Sequence, residues 1–188
     1  MTPPVLTALA WSPELLLQAQ GIRVALFDVD GVLTDGGLWY GEAGEVLKRF
    51  HTLDGHGLKL LARAGIVPAV ISGRDSPALR ARLAALGIDQ LRLGTEDKLP
   101  AAQALLRQIG GDWSEVAAMG DDWPDLPLLR QARFACAPAN AHAEARALAS
   151  YVTQRPGGEG AVREFCDLLL TAGGHYRRLL EQHLGAQP

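Results

Sequence analysis

Hydrophobic residues along the chain fall into short runs that alternate with longer segments of helical periodicity. The runs are rich in branched residues, and each is followed by an amphipathic or Ala/Leu-rich segment. They read IRVALFD (22–28), VPAVIS (67–72), QLRLG (90–94), EVAAMG (115–120), RFACA (133–137) and YVTQ (151–154). Apolar strands separated by helices are typical of a parallel sheet that is covered on both faces. The pattern therefore predicts an α/β fold, a doubly wound, Rossmann-like parallel sheet of about six strands with helices on both faces.

Residues that favour helix ends mark two of the predicted helices. Ser12 and Ser76 each stand directly before a proline, so each can cap a helix whose first position tolerates the missing N–H of proline. Gly21 and Gly87 follow these segments and are expected to end the two helices, because glycine readily adopts the left-handed conformation found there.

The segment GGLWYGEAGEVLKRFH, residues 36–51, departs from this alternation. It reads as a β-hairpin inserted directly after the first strand of the sheet. A hairpin is marginally stable alone, so Trp39, Tyr40 and Phe50 are expected to pack against something, such as another subunit. Neither this insertion nor the stretch between residues 72 and 98 is long enough for a cap domain.

Length and composition narrow the class of protein. The chain has 188 residues, of which 48% are hydrophobic and 21% charged, and its formal net charge is −3. We expect one globular domain over residues 1–188 with a helical tail from about residue 173, and neither nucleic acid nor a membrane as partner. The N-terminus lacks a basic leader, and Cys136 and Cys166 stand alone like buried thiols of a reducing compartment. A cytoplasmic protein is therefore expected.

Polar and charged residues follow the predicted strands at the edge where such sheets collect their ligands. Because the carboxyl ends of parallel strands meet there, these residues and the glycines beside them are expected to converge. They are Asp28, Asp30, Gly31 and Thr34 after the first strand, Ser72, Gly73 and Arg74 after the second, Lys98 after the third, and Asp121, Asp122 and Asp125 after the fourth.

Several carboxylates packed together repel one another unless a cation offsets their charge. Mg²⁺ prefers oxygen ligands and leaves room for a phosphate oxygen. The hydroxyl and backbone N–H at Ser72 and Gly73, with the ammonium of Lys98, are the groups that a phosphoryl group requires. Asp28 is then placed to act as a nucleophile that forms an aspartyl phosphate. Asp30 is placed to protonate the leaving oxygen and later to deprotonate water.

Simpler explanations exist for each of these residues taken alone. The paired aspartates could form an Asx turn or a calcium loop, Ser72 could cap the next helix, and Lys98 could be a surface lysine. Their order after successive strands favours a common site. Asp125 could support its loop or orient Lys98, and His56 could lie near the substrate or simply at the surface, so both roles stay open.

Four of these stretches resemble the motifs of the haloacid dehalogenase superfamily, in its branch of phosphatases with an aspartate nucleophile. They are DVDGVLTDG, ISGR, the position of Lys98 and MGDD. Longer strings, among them KRFHTLDGHGLKLL, ISGRDSPALRARLAALGI and GGEGAVREFCDLLL, are similar to phosphatases of this superfamily that act on sugar acid phosphates such as 3-deoxy-D-manno-octulosonate 8-phosphate. The resemblance extends over about residues 20 to 172.

The resemblance implies specific roles for the aspartates and Mg²⁺ as the cofactor. Asp28 would be nucleophile and metal ligand, and Asp30 would be the acid/base that also offers its backbone carbonyl to the metal. Asp121 would be a metal ligand, with Asp122 just outside the ligand set. It also implies a homotetramer built through the hairpin, in which the glycine-rich stretch 157–160 reaches towards an adjacent site and a neighbouring subunit excludes water.

The resemblance further implies which residues contact the sugar acid phosphate. They are Asp30, His51, Thr52, Leu53, Asp54, Gly55, Lys59, Ser72, Gly73, Arg74, Arg82 and Lys98. A sugar acid carries a carboxylate as well as a phosphate, so cations beyond Lys98 are required, and Arg74 is the strongest candidate. Arg82 and Lys59 have an equally good structural interpretation.

Three functions stay open at this point. The first is a Mg²⁺-dependent phosphatase that hydrolyses 3-deoxy-D-manno-octulosonate 8-phosphate through an aspartyl phosphate, in lipopolysaccharide biosynthesis. The second keeps this chemistry on the 9-phosphate of a nine-carbon sialic-type acid. The third is a non-catalytic module that binds metal and accepts phosphate, which Asp30 argues against because a pure acceptor needs no acid/base.

Overall fold

The computed structural model describes residues 11–42 and 44–185, so residues 1–10, 43 and 186–188 of the predicted domain lie outside the described part. Its strands are β1 (Val24–Phe27), β2 (Trp39–Gly41), β3 (Gly44–Leu47), β4 (Val67–Ser72), β5 (Gln90–Leu93), β6 (Val116–Met119), β7 (Phe134–Ala137) and β8 (Tyr151–Val152). Six of them form one sheet in the order β5-β4-β1-β6-β7-β8, with every neighbouring pair parallel. Each of the six lies within a predicted apolar run, so the predicted sheet is confirmed.

Helices follow the strands as the pattern predicted. They are α1 (Pro13–Gln18), α2 (Thr52–Arg63), α3 (Pro77–Leu86), α4 (Lys98–Ile109), α5 (Leu126–Gln131), α6 (Ala143–Leu148), α7 (Ala161–Ala172) and α8 (Tyr176–His183). The hydroxyls of Ser12 and Ser76 accept hydrogen bonds from backbone N–H groups in the first turns of α1 and α3. Gly87 ends α3 with a φ of +70°. The expectation for α1 was wrong, because this helix ends before Gly21, which lies in the turn that leads to β1.

Side chains of the sheet alternate between two separate hydrophobic clusters. In β1, Ala25 and Phe27 join a cluster that includes residues of α2 and α7. Val24 and Leu26 join a second cluster that includes residues of α4 and α5. Successive side chains of a strand point to opposite faces, so the two clusters lie on opposite sides of the sheet. The predicted doubly wound arrangement, with helices on both faces, is confirmed.

The strands β2 and β3 pair only with each other and form the predicted antiparallel hairpin after β1. Trp39, Tyr40, Val46 and Leu47 on this hairpin are each more than half exposed. In the described part of the chain, only the hairpin and α2 separate β1 from β4, and only α3, β5, α4 and a short 3-10 turn separate β4 from β6. The predicted absence of a cap domain therefore holds for the described residues.

The C-terminal helix α8 folds back on the body of the chain. It packs against α7 with Leu179 buried, and the ring of His183 lies 5.4 Å from that of His56. His56 therefore faces the tail helix. Of the helices described, none combines the length and the apolar character that crossing a membrane requires.

Candidate active site

The carboxyl ends of β1, β4 and β6 meet at one edge of the sheet, where the chain encloses a cavity of about 620 Å³. The residues that the sequence placed at the phosphoryl group and the metal line this cavity. They are Asp28, Asp30, Ser72, Gly73, Arg74, Lys98, Asp121, Asp122 and Asp125. Glu96 and Pro124, which the sequence did not indicate, complete the lining.

The loop after β1 places Asp28 at the end of the sheet. The backbone N–H of Asp28 donates a hydrogen bond to the carbonyl of Met119 in β6 (3.1 Å), so this residue still continues the strand pairing. The chain then turns at Gly31, whose φ of +91° favours glycine. The hydroxyl of Thr34 accepts hydrogen bonds from the backbone N–H groups of Gly31 (3.4 Å) and Gly36 (3.3 Å). The loop that carries both aspartates is thus closed by its own hydrogen bonds.

Lys98, at the start of α4, links two of the carboxylates. Its Nζ lies 2.7 Å from Asp28 Oδ1 and 2.6 Å from Asp125 Oδ1, and its side chain is only 4% exposed. The second oxygen of Asp125, Oδ2, accepts a hydrogen bond from the backbone N–H of Asp121 (3.0 Å). In this structure Asp125 both orients Lys98 and supports the loop, which are the two roles that the sequence left open.

Burial and crowding change the proton affinities of these groups. Burial, followed by the charge of Asp125, raises the pKa of Asp28 to about 6, and the ammonium of Lys98 opposes this only in part. Burial, followed by the charges of Asp28 and Asp125, raises the pKa of Asp121 to about 8. Burial alone would lower the pKa of Lys98, but the two carboxylates that it contacts raise it. An additional cation beside Asp28 and Asp121 would stabilise their ionised forms.

The residues present fit a divalent cation. One oxygen from each of Asp28, Asp121 and Asp125 can be chosen so that all three lie within 4.8 Å of one another. Both oxygens of Asp125 already have partners, whereas within the described ranges no hydrogen bond or ion pair reaches the carboxylate of Asp121. A Cβ at Gly31 would lie 2.1 Å from Asp121 Oδ2, so glycine leaves the space that this carboxylate occupies. Carboxylate oxygens are the donors that Mg²⁺ prefers.

The segment after β4 forms the opposite wall of the cavity. The buried hydroxyl of Ser72 accepts a hydrogen bond from the backbone N–H of Arg74 (3.2 Å), which bends the chain around Gly73. Among the described residues, a Cβ at Gly73 would have only the carbonyl oxygen of Thr95 within 4 Å, at 3.9 Å, so Gly73 borders open space in this part of the structure. Hydroxyl and backbone N–H donors at the edge of such a space suit phosphate oxygens.

The hairpin adds charges to this site that sequence reasoning missed. Lys48 Nζ contacts Asp30 Oδ1 and lies 3.2 Å from Glu45 Oε1, although only 1% of the Lys48 side chain is exposed. Arg74 Nε lies 3.6 Å from Asp30 Oδ2, and its Nη1 lies 4.0 Å from Glu45 Oε2. Arg74 Nη1 also donates a hydrogen bond to the hydroxyl of Tyr40 (3.3 Å). Two carboxylates and two cations therefore alternate around the entrance to the cavity.

The glycine-rich stretch 157–160 packs against the aspartate loop of its own chain. The backbone N–H of Gly158 donates a hydrogen bond to the carbonyl of Val32 (3.0 Å). A Cβ at Gly157 would lie 1.7 Å from the carbonyl oxygen of Gly31, so only glycine allows this approach. Contact within the chain thus accounts for the glycines, and their reach towards an adjacent site stays a prediction.

Seven residues that were predicted to contact the substrate lie outside the cavity of the described chain. They are His51, Thr52, Leu53, Asp54, Gly55, Lys59 and Arg82. His51 caps α2, since its Nδ1 accepts a hydrogen bond from the backbone N–H of Leu53 (3.3 Å). Thr52, Leu53 and Lys59 are exposed. Their contact with the substrate stays a prediction.

Asp54, Gly55 and Arg82 have contacts that hold helices together. Asp54 is 1% exposed, and its Oδ1 accepts a hydrogen bond from the backbone N–H of Arg163 at the start of α7 (2.8 Å). Arg82 lies over Gly55, where a Cβ would meet its Nη2 at 2.3 Å, and it donates a hydrogen bond to the carbonyl of His51 (3.3 Å). Within this chain, packing between helices explains these three residues.

Comparisons with known proteins agree with this geometry. A family model of haloacid dehalogenase-like hydrolases matches residues 88–165. The 3-deoxy-D-manno-octulosonate 8-phosphate phosphatase of Salmonella typhimurium is 42% identical over 163 residues, which are 87% of this chain and 87% of that protein. The chain belongs to the family of 3-deoxy-D-manno-octulosonate 8-phosphate phosphatases. The superfamily predicted from its motifs is thereby confirmed.

Solved structures of 3-deoxy-D-manno-octulosonate 8-phosphate phosphatases share the fold. That of Moraxella catarrhalis, in complex with a magnesium ion, a phosphate ion and a KDO molecule, has a TM-score of 0.87 at 38% identity and covers 90% of this chain and 98% of that chain. The cobalt-bound phosphatase of Haemophilus influenzae has a TM-score of 0.83 at 42% identity and covers 85% of this chain and 93% of that chain. Both of these relatives hold a divalent cation.

Proposed function

We propose that the chain hydrolyses 3-deoxy-D-manno-octulosonate 8-phosphate to the free sugar acid and phosphate, with Mg²⁺ as its cofactor, in lipopolysaccharide biosynthesis. Family membership supports the substrate, and the relative with bound magnesium, phosphate and KDO supports the cofactor. The observation that carries the proposal is the placement of Asp28 2.7 Å from Lys98 and beside Asp121 in a single cavity. The proposed nucleophile, a lysine held in place and the proposed metal ligand thus line the same cavity.

Asp28 and Asp121 are the residues that would hold Mg²⁺, with the backbone carbonyl of Asp30 as the further ligand that the family pattern implies. The ion supplies positive charge, which offsets the repulsion between a carboxylate and a phosphate. No hydrogen bond or ion pair reaches the carboxylate of Asp121 within the described residues. This supports the assignment, as do the raised pKa values of Asp28 and Asp121, because burial and then neighbouring negative charge disfavour ionisation of both groups unless a cation compensates.

The chain itself binds and orients the phosphoryl group. Ser72 and Gly73 supply a hydroxyl and a backbone N–H on one wall of the cavity. Lys98 supplies a fixed positive charge next to Asp28, because Asp125 holds its ammonium at 2.6 Å. A buried lysine held in this way needs no reorganisation when charge develops during the transfer.

Two transfers complete the reaction. In the first, an oxygen of Asp28 attacks the phosphorus, the bond between phosphorus and the sugar oxygen breaks, and Asp30 donates a proton to that oxygen. In the second, a water molecule attacks the phosphorus of the aspartyl phosphate while Asp30 accepts a proton from the water. Phosphate leaves, Asp28 is restored, and Asp30 has regained the proton that it gave.

Arg74 is proposed to bind the carboxylate of the substrate. Its side chain is 44% exposed at the entrance to the cavity, and it follows the phosphate-binding segment directly. Its planar guanidinium can pair with a carboxylate through two hydrogen bonds. Substrate would take the place that Asp30 and Glu45 hold beside Arg74 in this structure.

We further propose a cytoplasmic homotetramer that is built through the hairpin. The exposed side chains of Trp39, Tyr40 and Leu47 support this, because two strands with apolar side chains on both faces lack a core of their own. Cys136 and Cys166 are buried and free, which fits a reducing compartment. Analytical ultracentrifugation tests the assembly: we expect a tetramer for the unchanged chain and smaller species for Leu47→Glu, and a monomeric unchanged chain would reject the proposal.

The substrate proposal is tested by measuring phosphate release from a panel of sugar acid phosphates and an aryl phosphate, with and without Mg²⁺. We expect the eight-carbon acid 8-phosphate to be preferred over a nine-carbon acid 9-phosphate, and chelation to abolish release. Asp28→Asn should abolish turnover on every substrate. Arg74→Ala should reduce kcat/KM about 10- to 100-fold more for the sugar acid than for the aryl phosphate. Persistent phospho-aspartate with slow release would favour a non-catalytic module instead.

A further inference from the structure

A buried lysine of the hairpin contacts the proposed acid/base. Lys48 comes directly after β3, and its Nζ reaches Asp30 Oδ1 while lying 3.2 Å from Glu45 Oε1. Only 1% of its side chain is exposed. A buried ammonium is unfavourable unless it is paired and hydrogen-bonded. The position of Lys48 is therefore defined by the two carboxylates that enclose it.

The two cations beside Asp30 differ in their freedom to move. Arg74 lies 3.6 Å from Asp30 Oδ2, but its side chain is 44% exposed and it can exchange partners. Lys48, at 1% exposure, has no comparable freedom. When Arg74 turns to the carboxylate of a substrate, Lys48 is left as the cation that holds the Asp30 carboxylate in place.

We propose that Lys48 is a positioning residue, which orients Asp30 for proton transfer to the leaving oxygen, and that Glu45 keeps Lys48 in place. This inference rests on the proposed phosphatase function. A cation that anchors Oδ1 of Asp30 restricts rotation of the carboxyl group, so Oδ2, which carries the proton before the first transfer, keeps a defined direction. The hairpin is then part of the catalytic unit, because β3 and the residue that follows it carry Glu45 and Lys48.

The chemistry of the leaving oxygen separates this role from a structural one. The alkoxide of a sugar is a poor leaving group, so its release depends on a proton from Asp30. A dinitrophenolate leaves without a proton. A substitution that acts through Asp30 must therefore reduce kcat/KM more for the sugar phosphate than for the aryl phosphate. A general loss of folded protein reduces the rate with both substrates equally.

The decisive experiment measures kcat/KM of Lys48→Met with 3-deoxy-D-manno-octulosonate 8-phosphate and with 2,4-dinitrophenyl phosphate at saturating Mg²⁺. This parameter reports the steps up to formation of the aspartyl phosphate, which are the steps that release the leaving group. We expect a loss of about 100-fold with the sugar phosphate, at the low end of what a general acid contributes, and of less than about 5-fold with the aryl phosphate.

Two control variants test whether the loss of activity is due to removal of the cation beside Asp30. Lys48→Arg keeps a cation beside Asp30 and should restore most of the activity with the sugar phosphate. Arg23→Gln removes an exposed cation 3.4 Å from Glu115, at the other end of β1, and should leave both substrates unchanged. Thermal unfolding of each variant shows whether the protein is folded under assay conditions.

Equal losses on the two substrates, or no loss on either, would overturn the inference about Lys48. If Lys48→Met does not fold, Glu45→Gln and Lys48→Arg decide the question by the same ratio: a selective loss for Glu45→Gln with activity kept in Lys48→Arg supports it, and any other pattern rejects it. A wild-type protein that releases phosphate from no sugar acid phosphate would instead refute the proposed function.

Discussion

Lys98 Nζ lies 2.6 Å from Asp125 Oδ1, and the two side chains are only 4% and 3% exposed. The same aspartate accepts a hydrogen bond through its other oxygen from the backbone N–H of Asp121 (3.0 Å). One buried carboxylate thus fixes both the cation beside Asp28 and the loop that carries the proposed metal ligand. Its removal should affect folding and chemistry together.

Asp125→Ala should lower the free energy of unfolding by about 3–5 kcal/mol, because removal of one partner leaves a buried charge without full compensation. It should also lower kcat/KM, since Lys98 would lose its fixed position. Asp125→Asn keeps an acceptor for the Asp121 N–H and should be less harmful to folding. Urea unfolding and phosphate release measure the two effects.

The exposed ion pair of Arg80 with Asp75 provides the matched control for this prediction. Arg80→Gln should change neither stability nor kcat/KM measurably, because solvent screens an exposed pair. If Asp125→Ala proved as mild as Arg80→Gln, the central role of the buried pair would be wrong.

Removal of the metal should reveal the repulsion among the carboxylates. Asp121 has no partner within the described residues, and burial with the nearby charges of Asp28 and Asp125 raises its pKa to about 8. In metal-free protein, Asp121→Asn should therefore raise the unfolding temperature. Mg²⁺ should stabilise the unchanged chain, by about 2.7 kcal/mol at 100 times its dissociation constant, but not the variant. Thermal unfolding with and without Mg²⁺ measures both, and equal shifts in the two proteins would argue against Asp121 as a ligand.

The contact between the glycine-rich stretch and the aspartate loop predicts an effect of Gly157→Ala. The new Cβ would lie 1.7 Å from the carbonyl oxygen of Gly31, which directly follows Asp30. The loop that carries Asp28 and Asp30 must therefore move. We expect loss of both stability and kcat/KM, measured by urea unfolding and phosphate release.

Gly87→Ala separates this effect from ordinary backbone strain. Gly87 has a φ of +70°, but no atom of the described chain lies within 4 Å of an added Cβ. Its substitution should cost about 1 kcal/mol of stability and leave kcat/KM unchanged. An active Gly157→Ala enzyme would show that the glycine-rich stretch does not position the aspartate loop.

Much of the fold and of the site follows from local pattern. The apolar runs predicted the six strands, because buried parallel strands need continuous hydrophobic sequence. The positions just after the strands predicted that Asp28, Lys98 and Asp121 share a site, because the topology of the sheet brings the strand ends together. The hairpin could be recognised as an insertion, but its contacts could not. Lys48 contacts Asp30 only because the hairpin folds over the edge of the sheet. The pattern of hydrophobic and polar residues does not predict that placement of the hairpin.

The predicted substrate residues show the opposite difficulty. His51, Asp54 and Arg82 resemble positions that contact a substrate, yet within this chain they cap a helix or join helices. A motif identifies positions but not which surface they face. Sequence also could not separate the two roles of Asp125, because both depend on its placement between α4 and the loop after β6.

Asp54 offers a test that does not involve the metal site. Burial raises the pKa of its carboxyl, although the backbone N–H of Arg163 opposes this, and Asp54 Oδ2 has no hydrogen-bond partner among the described residues. Below the pKa of about 3.9 that the carboxyl has in the unfolded chain, it is protonated in both states, and its contribution to the free energy of unfolding is at its maximum. As pH rises, the unfolded chain ionises first, so this stabilisation is lost until the folded carboxyl has also ionised.

The difference in unfolding free energy between the unchanged chain and Asp54→Asn should therefore decrease as pH rises above about 3.9 and become constant above the raised pKa of the folded state. Urea unfolding across this range measures it. Asp112→Asn provides a control of opposite sign, because hydrogen bonds from Ser114 lower the pKa of the exposed Asp112 carboxyl. The stabilisation from Asp112 is lost as pH falls. If the difference in unfolding free energy for Asp54→Asn did not change with pH, or changed in the same direction as for Asp112→Asn, the Asp54 carboxyl would not be held in the buried environment between α2 and α7.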